Sequence, residues 1–374
     1  MITNLYYPNI GGVEIATENL IKQFLRKGHS VELVTSRYPT TLSKIEYIHG
    51  VRVMRLPFRL PSANPLYLCK FFIHSFVCIA NLYRLVKQYK FDLINLHYVS
   101  ENALYALILS KFKNLPLVTS IHGADIQDFP FRNALNKCLV GLTLKKSLGI
   151  ISNSTALLRE ATRIFGEELI SKSVVCGNGI ELSEFKNLVG NHDNLSPFIL
   201  GIGRLVYKKG FDILLEAFSI VIKRFPHVKL VVIGDGVEKN ALETLIRNLG
   251  LERSIIFCGN LEHENIPKYL ASCEFFVLPS REEPFGIVNL EAMSAKKAVI
   301  AMDVGGVSDY LNHGKNGLLV KVCSPASLAE AIIYLLEHPD LAKQYGLNGR
   351  QTVENQYTWD TIADKYLDVF QTVL

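Results

Sequence analysis

The feature that most constrains the fold is the alternation of short, strongly apolar runs with longer segments of helical periodicity. Runs of Val, Ile and Leu separated by helix-length segments are typical of parallel strands covered by helices on both faces. The sequence therefore predicts an α/β chain. The runs are Val31–Thr35, Val51–Leu56, Asp92–Leu96, Leu117–Ser120, Gly149–Ser152, Ser173–Cys176, Phe198–Ile202, Lys229–Ile233, Ser254–Phe257, Glu274–Leu278, Ala298–Ala301 and Gly317–Val320.

A chain of 374 residues has the length of about two domains. Residues 185–197 are polar and poorly periodic, which indicates a linker. The predicted domains are residues 1–187 and 195–355, and an apolar helical stripe beginning at Trp359 predicts a C-terminal helix within residues 356–374. We expect two doubly wound Rossmann-like domains that face each other across a cleft, because ligands of open parallel sheets bind beyond the carboxyl ends of the strands.

Composition excludes several classes of protein. With 49% hydrophobic residues and a net charge of +5, the chain is not disordered. Seven cysteines without a C-x-x-C pair do not suit a disulfide scaffold. The longest apolar run, Phe71–Tyr83, is shorter than the roughly 20 residues of a membrane-spanning helix. The start of the chain lacks a signal-peptide pattern, so we expect a cytoplasmic protein.

Positive charge is concentrated in the first half. Residues 1–195 carry 22 lysines and arginines against 14 acidic residues, whereas the remaining residues carry 18 against 21. Seven basic residues and no acidic one lie between Glu46 and Asp92, interleaved with Phe71, Phe72 and Phe76. A solvated basic face is one interpretation. The other is an anionic partner, for which the aromatic residues favour a membrane surface and not a nucleic acid.

The most specific motif is SREEPFGIVNLEAMSA, residues 280–295. Pro284 biases Glu283 away from helix, so a helix is predicted to begin near Phe285–Gly286 and to offer free backbone N–H groups to an anion. Glu291 lies on that helix, eight residues beyond Glu283. Two carboxylates flanking an anion-binding helix start suit a ligand with hydroxyl groups at both ends and phosphates between them, as in a nucleotide-sugar. The alternative is two surface glutamates.

A second motif, GIGRLVYKKGFDILLEAF, begins at Gly201. A dinucleotide-binding fingerprint requires a third glycine at position 206, where Val206 stands, so the fingerprint fails. Arg204 and Lys209 place a planar fork and a point charge beside a strand-end loop, which suits a diphosphate. Isolated basic residues near a loop are the alternative interpretation.

Three weaker signals also follow predicted strands. A turn of small residues, Gly234 to Gly236, would let a flat ligand approach the backbone, although it is equally a simple tight turn. The pair Gly11–Gly12 opens a helix that offers a second anion-binding start, or only a strand–helix turn. His122 and Asp125 follow Leu117–Ser120, where a residue facing a cleft belongs, although a lone histidine is often part of a core.

The sequence contains no D-x-D, no G-x-x-x-x-G-K-[ST] and no G-x-S-x-G motif. We therefore expect no metal and no cofactor, and we expect Arg204, Lys209 and the helix start near Gly286 to neutralise the diphosphate.

Together these residues resemble the family 4 glycosyltransferases, which are retaining enzymes of GT-B fold with a "glycosyl transferases group 1" C-terminal domain. YPNIGGVE, RKGHSVELVTS, HGADI, GIGRLVYKKGFDILLEAF, VIGDGVE, REEPFGIVNLEAMSA, GGVSDYL and NGLLV occur in the order of the family. The resemblance implies that the C-terminal helix returns to the first domain. Family members usually begin with a longer first strand, so it also implies a start upstream of Met1.

The resemblance further implies the role of each candidate residue. Glu283 would contact the donor sugar and Glu291 the ribose, while Arg204 and Lys209 would hold the diphosphate. Catalysis would involve Glu283, His122, Arg204 and Lys209, and Gly11, His122 and Asp125 would lie on the acceptor side. The implied donor-binding residues are Gly12, Arg204, Lys209, Gly234, Gly236, Glu283, Phe285, Gly286, Ile287 and Glu291.

The predicted function is metal-independent transfer of a hexose, with retention, from a UDP- or GDP-sugar to a glycan or lipid-linked acceptor in cell-envelope or exopolysaccharide synthesis. The basic first half suggests an additional anionic membrane surface as partner, on the cytoplasmic side. No nucleic-acid partner is expected. A nucleotide-sugar 2-epimerase of the same architecture and a non-catalytic binding subunit are the alternatives.

Overall fold

The computed structural model describes residues 1–9, 11–186, 188, 190, 195 and 197–374. The chain divides into two compact units. Unit 1 comprises Met1–Gly177 and Ile362–Leu374, and unit 2 comprises Asn178–Thr361. The division therefore lies ahead of the predicted linker at 185–197, because Ile180 pairs with Thr358 in unit 2 and Phe185 is buried. Most of that predicted linker (187, 189, 191–194 and 196) lies outside the described residues.

The described part of unit 1 contains seven strands, which its short first segment joins. Ile2 forms bridges to both Val34 and Leu96 and so connects two sheets, of order β1-β3-β2 and β4-β5-β6-β7. Neighbouring strands are parallel, except that β2 runs antiparallel to β3. The strands are β1 Leu33–Ser36, β2 Ile45–Ile48, β3 Val51–Leu56, β4 Ile94–His97, β5 Leu117–Ile121, β6 Gly149–Ser152 and β7 Ser173–Val175.

Helices cover the unit 1 sheets and bury an apolar core between the layers. The C-terminal helix belongs to this unit from Ile362 onward, as predicted. Its Tyr366 and Phe370 pack on Phe24, with ring centroids 6.4 and 5.7 Å away. The helices are α1 Gly12–Arg26, α2 Pro65–Gln88, α3 Asn102–Lys113, α4 Ala124–Gln127, α5 Ala134–Lys146, α6 Thr155–Phe165 and, at the end of the chain, α13 Trp359–Val373.

Helix α2 is longer than its apolar run suggested. It spans 24 residues and, by length and composition, meets the requirement for crossing a membrane, so the sequence-based prediction that no segment is long enough was wrong. The reason is that Lys70 and Arg84, which bound the run, lie within the helix and do not end it. Cys78, Leu82 and Leu85 of α2 are buried in the unit 1 core, so one face of the helix already packs on protein.

Among the described residues of unit 2, six strands form one parallel sheet, in the order β10-β9-β8-β11-β12-β13. Counted within the unit, this is the doubly wound order 3-2-1-4-5-6, whose switch point lies between β8 and β11. Both units are therefore Rossmann-like, as predicted. The strands are β8 Phe198–Ile202, β9 Lys229–Ile233, β10 Ile255–Gly259, β11 Phe276–Leu278, β12 Val299–Met302 and β13 Leu318–Val320.

The helices of unit 2 flank this sheet and bury its apolar strands. Helix α10 ends in a left-handed turn at Lys296, whose φ is 60°. A non-glycine residue costs about 1 kcal/mol in that conformation. The helices are α7 Phe211–Val221, α8 Lys239–Leu249, α9 Ile266–Ser272, α10 Ile287–Ser294, α11 Pro325–Glu337 and α12 Pro339–Gln356.

Candidate active site

The loop after β11 carries Glu283, and the fold buries this carboxylate beside a lysine. Glu283 is 7% exposed, its Oε2 accepts a hydrogen bond from the Ser280 hydroxyl at 3.1 Å, and it forms an ion pair with Lys209. A buried carboxylate needs such partners, because an unpaired charge away from water is costly. The structure therefore brings together Glu283 and Lys209, two predicted site residues that are 74 positions apart.

Lys209 reaches Glu283 because two loops pack backbone against backbone. Lys209 ends a short 3₁₀ helix, and Gly210 follows with a left-handed φ of +65°. A Cβ at position 210 would lie 2.1 Å from the carbonyl oxygen of Pro279, so only glycine permits this approach. The Arg281 N–H also donates to the carbonyl of Lys208 at 2.8 Å.

A second ion pair holds the same two loops, and the sequence analysis missed it. Arg281 donates to both carboxylate oxygens of Asp212, at 2.8 and 2.6 Å, and its guanidinium lies 4.1 Å from the ring centroid of Tyr207. Burial raises the pKa of Asp212, but the hydrogen bonds and charge of Arg281, together with backbone hydrogen bonds, outweigh it, so the pKa of Asp212 is lowered. Arg281 lies in the motif of residues 280–295, and Asp212 lies in the motif that begins at Gly201. Their positions in these two motifs are the signal that could have identified the ion pair.

Helix α10 begins at Ile287, next to the predicted helix start near Phe285–Gly286. Gly286 is left-handed at φ +88°, and a Cβ there would lie 2.8 Å from the Tyr310 hydroxyl. That hydroxyl donates to the carbonyl of Phe285 at 2.7 Å and accepts from Asn289 at 2.8 Å. Because no side chain of the described residues caps the helix, its first N–H groups remain available to an anion.

Glu291, the second glutamate of the motif, lies on α10 and is partly buried. Burial raises the pKa of its carboxyl group, and nearby His263 opposes that shift. His263 is itself held by Glu184, at 3.2 Å between Nε2 and Oε2. The carboxyl of Glu291 therefore has no direct salt bridge among the described residues.

Arg204 is not joined to the Glu283–Lys209 pair. Its side chain is exposed, and within the described part of the chain it makes no hydrogen bond or ion pair. The predicted contact with a diphosphate requires a side chain that has no other partner, and the Arg204 side chain meets this requirement among the described residues.

Backbone packing requires glycine at positions 234 and 236, which the sequence did not reveal. A Cβ at Gly234 would lie 1.9 Å from the carbonyl oxygen of Gly203, and one at Gly236 would lie 2.3 Å from that of Leu205. The turn after β9 therefore packs directly on the turn after β8. Close approach of backbone to backbone already requires these glycines, whether or not a ligand also approaches them.

In unit 1, the predicted anion site at Gly11–Gly12 already holds a carboxylate. Glu14, in the first turn of α1, accepts hydrogen bonds from the backbone N–H groups of Gly11 and of its own residue. Burial raises the pKa of Glu14, and these two bonds oppose the shift. Any external anion at this helix start would have to displace the Glu14 side chain.

His122 ends a chain of buried hydrogen bonds. The Asn95 amide nitrogen donates to Ser120 at 3.1 Å, so its Oδ1 accepts from His97 Nε2 at 2.6 Å. His97 Nδ1 then accepts from His122 Nε2 at 3.2 Å, which leaves His122 Nδ1 without a proton. Burial lowers the pKa of His122 to about 4, so the ring is neutral at pH 7.

Asp125 does not present its carboxylate to an acceptor, contrary to the prediction. The residue is fully buried, and its oxygens accept from the N–H groups of His122, Gly123 and Val99 at 2.8 to 3.3 Å. Burial raises the pKa of Asp125 to about 6, against these hydrogen bonds. Its role here is to hold the turn that positions His122.

Two family models match the chain. "Glycosyltransferase Family 4" matches residues 10–184, and "Glycosyl transferases group 1" matches residues 183–352. The chain belongs to glycosyltransferase family 4. It is a glycosyltransferase of GT-B fold, and the sequence-based predictions of family, fold and enzyme class are confirmed. A non-catalytic subunit and an epimerase are therefore set aside.

Curated relatives of this family member align along its whole length. An uncharacterized glycosyltransferase of Methanocaldococcus jannaschii is 29% identical over 100% of the chain and 98% of the relative. The N-acetyl-alpha-D-glucosaminyl L-malate synthase of Bacillus anthracis is 25% identical over 98% of the chain and 96% of the relative.

Solved structures share the fold. Sucrose-phosphate synthase from Thermosynechococcus elongatus superimposes with a TM-score of 0.80 at 22% identity, over 100% of this chain and 98% of that one. HepE of Anabaena, solved in complex with UDP, gives a TM-score of 0.79 at 22% identity, over 99% and 98% of the two chains.

Proposed function

We propose that this glycosyltransferase moves a hexose, with retention and without a metal ion, from a UDP- or GDP-sugar to a glycan or lipid-linked acceptor in cell-envelope or exopolysaccharide synthesis. The observation that carries the proposal is the ion pair between buried Glu283 and partly buried Lys209, beside the start of α10, which no described side chain caps. A carboxylate that suits sugar hydroxyls and a cation that suits phosphate are in contact there. The two loops that carry them pack closely because glycines allow it.

Donor binding would exchange one partner of this pair for another. Lys209 would turn from Glu283 to the diphosphate, which the N–H groups of α10 and the free side chain of Arg204 would also contact. Glu283 would then accept from hydroxyls of the hexose, and Glu291 from those of the ribose. HepE binds UDP, which supports a nucleoside-diphosphate donor for a chain of the same fold.

In the reaction, the bond between the anomeric carbon and the diphosphate oxygen breaks, and its electron pair stays on the diphosphate. The acceptor hydroxyl oxygen bonds to the anomeric carbon from the same face, and its proton passes to the departing phosphate oxygen. Lys209, Arg204 and the helix start stabilise the negative charge as it develops. One preorganised donor of this kind is worth about 3–4 kcal/mol.

Lys209, Arg204 and the helix start would neutralise the negative charge of the diphosphate in place of a divalent cation. We therefore propose that the enzyme needs no metal. Among the described residues, no group of three or more His, Cys, Asp or Glu side chains has the arrangement of a metal site.

His122 would line the acceptor side and accept a hydrogen bond at Nδ1. The basic first half would hold the protein on the cytoplasmic face of a membrane.

The test measures sugar transfer from UDP- and GDP-sugars by the purified protein in EDTA, with and without a mixed glycan and lipid acceptor extract. We expect Glu283→Ala and Lys209→Ala each to lower the rate of transfer at least 100-fold. The neighbouring Lys208–Glu282 pair, at 2.6 Å and exposed, supplies the matched controls Lys208→Ala and Glu282→Ala, which keep the wild-type rate.

Wild-type rates in both Glu283→Ala and Lys209→Ala would show that the site is misassigned. Loss of wild-type transfer in EDTA, with recovery on adding Mg²⁺ or Mn²⁺, would contradict metal independence. Conversion of the donor to its epimer without an acceptor would contradict transfer as the reaction.

A further inference from the structure

The start of α10 is held by a tyrosine to which the sequence analysis gave no role. Tyr310 is 1% exposed, and its hydroxyl donates to the carbonyl of Phe285 at 2.7 Å and, more weakly, to that of Gly286 at 3.2 Å. The same hydroxyl accepts from Asn289 Nδ2 at 2.8 Å. One buried hydroxyl therefore contacts both peptide groups that lead into the helix.

The chemistry of the groups fixes the direction of these hydrogen bonds. A carbonyl oxygen can only accept, so the Tyr310 proton points at the two carbonyl groups. The Asn289 amide then has to present its nitrogen, because the hydroxyl has no second proton to donate. Asn289 Oδ1 is fully buried and has no hydrogen-bond partner among the described residues. An unpaired buried oxygen lowers stability, which indicates that the amide is retained for the hydrogen bond that it donates.

The Tyr310 hydroxyl also sets the direction of two N–H groups, because the carbonyl and the N–H of a trans peptide point in opposite directions. The carbonyl of Phe285 faces Tyr310, so the N–H of Gly286 faces away from it. The carbonyl of Gly286 faces the same hydroxyl, so the N–H of Ile287 faces away as well. Neither N–H has an acceptor within the described part of the chain. A left-handed Gly286 before a right-handed helix gives successive N–H groups the concave arrangement that binds anions.

These two N–H groups lie beside the carboxylate proposed for the hexose. A Cβ added to Gly286 would lie 3.1 Å from Glu283 Cγ. Glu291, proposed for the ribose, lies four residues beyond Ile287, about 6 Å farther along the helix axis. In a nucleoside-diphosphate sugar the ribose is bonded to the first phosphate and the hexose to the second. The N–H groups beside Glu283 therefore match the second phosphate.

We propose that Tyr310 is a positioning residue of the donor site, whose hydroxyl turns the N–H groups of Gly286 and Ile287 toward the second phosphate, and that Asn289 fixes the direction of that hydroxyl. The proposal rests on the donor site proposed above and adds two residues that act through the backbone of the helix start. The second phosphate carries the negative charge that develops as the hexose departs, and preorganised N–H groups stabilise such charge. Tyr310 sets their orientation before the donor binds.

The experiment measures binding of UDP, UMP, GDP and GMP to the full chain by calorimetry. For the base that the protein binds, we expect Tyr310→Phe to weaken the diphosphate about tenfold and the monophosphate less than about twofold, because only the diphosphate has the second phosphate. Asn289→Leu should weaken the diphosphate about threefold. The double variant should bind as Tyr310→Phe does, since the effects of residues that act as one unit are not additive.

The same aromatic cluster supplies a matched control, Tyr357→Phe. The Tyr357 ring lies 6.0 Å from that of Tyr310 and 6.1 Å from that of Phe285, and its hydroxyl donates to the carbonyl of Asp309 at 3.1 Å. Tyr357 is also buried, so the variant removes a comparable hydroxyl. It should lower stability in the same way as Tyr310→Phe and leave the affinities for diphosphate and monophosphate unchanged.

Binding at the helix start can be observed directly by NMR, with carbonyl-labelled phenylalanine and nitrogen-labelled glycine. The chain has two Phe-Gly pairs, Phe165 with Gly166 and Phe285 with Gly286, so this labelling reports two amide signals. Phe165→Leu removes one signal and so assigns both. We expect UDP or GDP to shift the Gly286 signal. The N–H of Gly166 donates to the carbonyl of Thr162 at 2.9 Å, so its signal is the internal control and should not shift.

Equal weakening of diphosphate and monophosphate in Tyr310→Phe, or no weakening, would overturn the proposal. So would a Tyr357→Phe variant that weakens the diphosphate to the same extent, because the hydroxyl of Tyr310 would then be merely structural. A Gly286 signal that stays unchanged when UDP or GDP binds would also overturn it.

Inorganic pyrophosphate separates this inference from the proposed donor. If neither UDP nor GDP binds, but pyrophosphate shifts the Gly286 signal in wild type and not in Tyr310→Phe, the donor is contradicted and the anion site at the helix start stands. If UDP or GDP binds without the expected effect of Tyr310→Phe, the donor stands and the positioning role is contradicted. If none of the three ligands shifts the signal, both are contradicted.

Discussion

The two units differ in whether the charged side chains at the carboxyl edges of their sheets form ion pairs. In unit 2 the charged residues pair with each other, Lys209 with Glu283 and Arg281 with Asp212, across two loops that touch through their backbones. In unit 1, six basic side chains line a cavity where β1 and β3 end, and four of them have no carboxylate partner among the described residues: Arg37, Lys44, Arg59 and Arg84. Pairing fixes the geometry of the unit 2 loops, whereas no carboxylate among the described residues holds these four unit 1 bases, although Arg37 Nε donates to the carbonyl of Leu42 at 2.7 Å.

The difference also predicts how much the charged residues of each unit contribute to the stability of the protein. Partly buried ion pairs are costly to break, because removing one member leaves the other uncompensated. Arg84 is exposed and has no ion-pair partner among the described residues, so its replacement should have little effect on folding.

The largest effect is expected where the unit 2 loops touch. Gly210→Ala places a Cβ 2.1 Å from the Pro279 carbonyl oxygen and should lower the free energy of unfolding by about 3 kcal/mol. The matched control is Gly250→Ala, at φ +69° with nothing within 4 Å of the added Cβ, which should cost about 1 kcal/mol. Urea unfolding followed by circular dichroism measures both, and equal costs would show that the loops are not in close contact.

The next effect compares a paired with an unpaired arginine. Arg281→Gln removes the bidentate partner of Asp212 and should destabilise the protein by about 2 kcal/mol. Arg84→Gln, in the unit 1 cavity, should change stability by less than about 0.5 kcal/mol. Thermal unfolding monitored by calorimetry tests both, and a larger loss for Arg84→Gln would reverse the contrast between the units.

The smallest effect concerns the buried histidine chain of unit 1. The folded-state pKa of His122, about 4, lies below its ordinary value of 6.5, so between these values the unfolded chain binds more protons. Stability that is present above pH 6.5 is therefore lost as the pH falls toward 4. From pH 7 to 5, this group should contribute a loss of at most about 2 kcal/mol.

His122→Gln should remove this part of the acid sensitivity, and the exposed His227→Gln should not. Urea unfolding at pH 7, 6 and 5 measures the difference between the variants. His97, whose pKa burial also lowers, adds to the same trend, while Asp125, whose pKa burial raises to about 6, opposes it in all of them. Parallel pH dependence in wild type and His122→Gln would contradict a buried neutral His122.

Most strands could be predicted from the sequence, because runs of buried β-branched residues leave few alternatives. Val51–Leu56, Gly149–Ser152, Phe198–Ile202 and Lys229–Ile233 have the predicted bounds. The strand Ile45–Ile48 was missed because it is short, alternating and half exposed. Its turn uses His49 and Gly50, both at positive φ, in place of the usual Asn-Gly signal.

The candidate site was only partly predictable. The motifs marked the residues that differ chemically from ordinary loops, such as Glu283, Lys209 and Gly286. They did not show which partners those residues have, and they assigned Asp125 to an acceptor when it binds three backbone N–H groups. Hydrogen bonds of this kind depend on directions in space that no spacing along the chain encodes.

The sequence by itself determined the α/β class, the two-unit organisation and the family, because hydrophobic periodicity and strand-end motifs are local properties of the chain. Only the tertiary structure decided that Lys209 meets Glu283 across 74 positions, that Glu14 fills its own helix start, and that six bases of the first half line one cavity. The physical reason is that pairing, burial and the shape of a cavity depend on distances between segments remote in sequence, which packing alone sets.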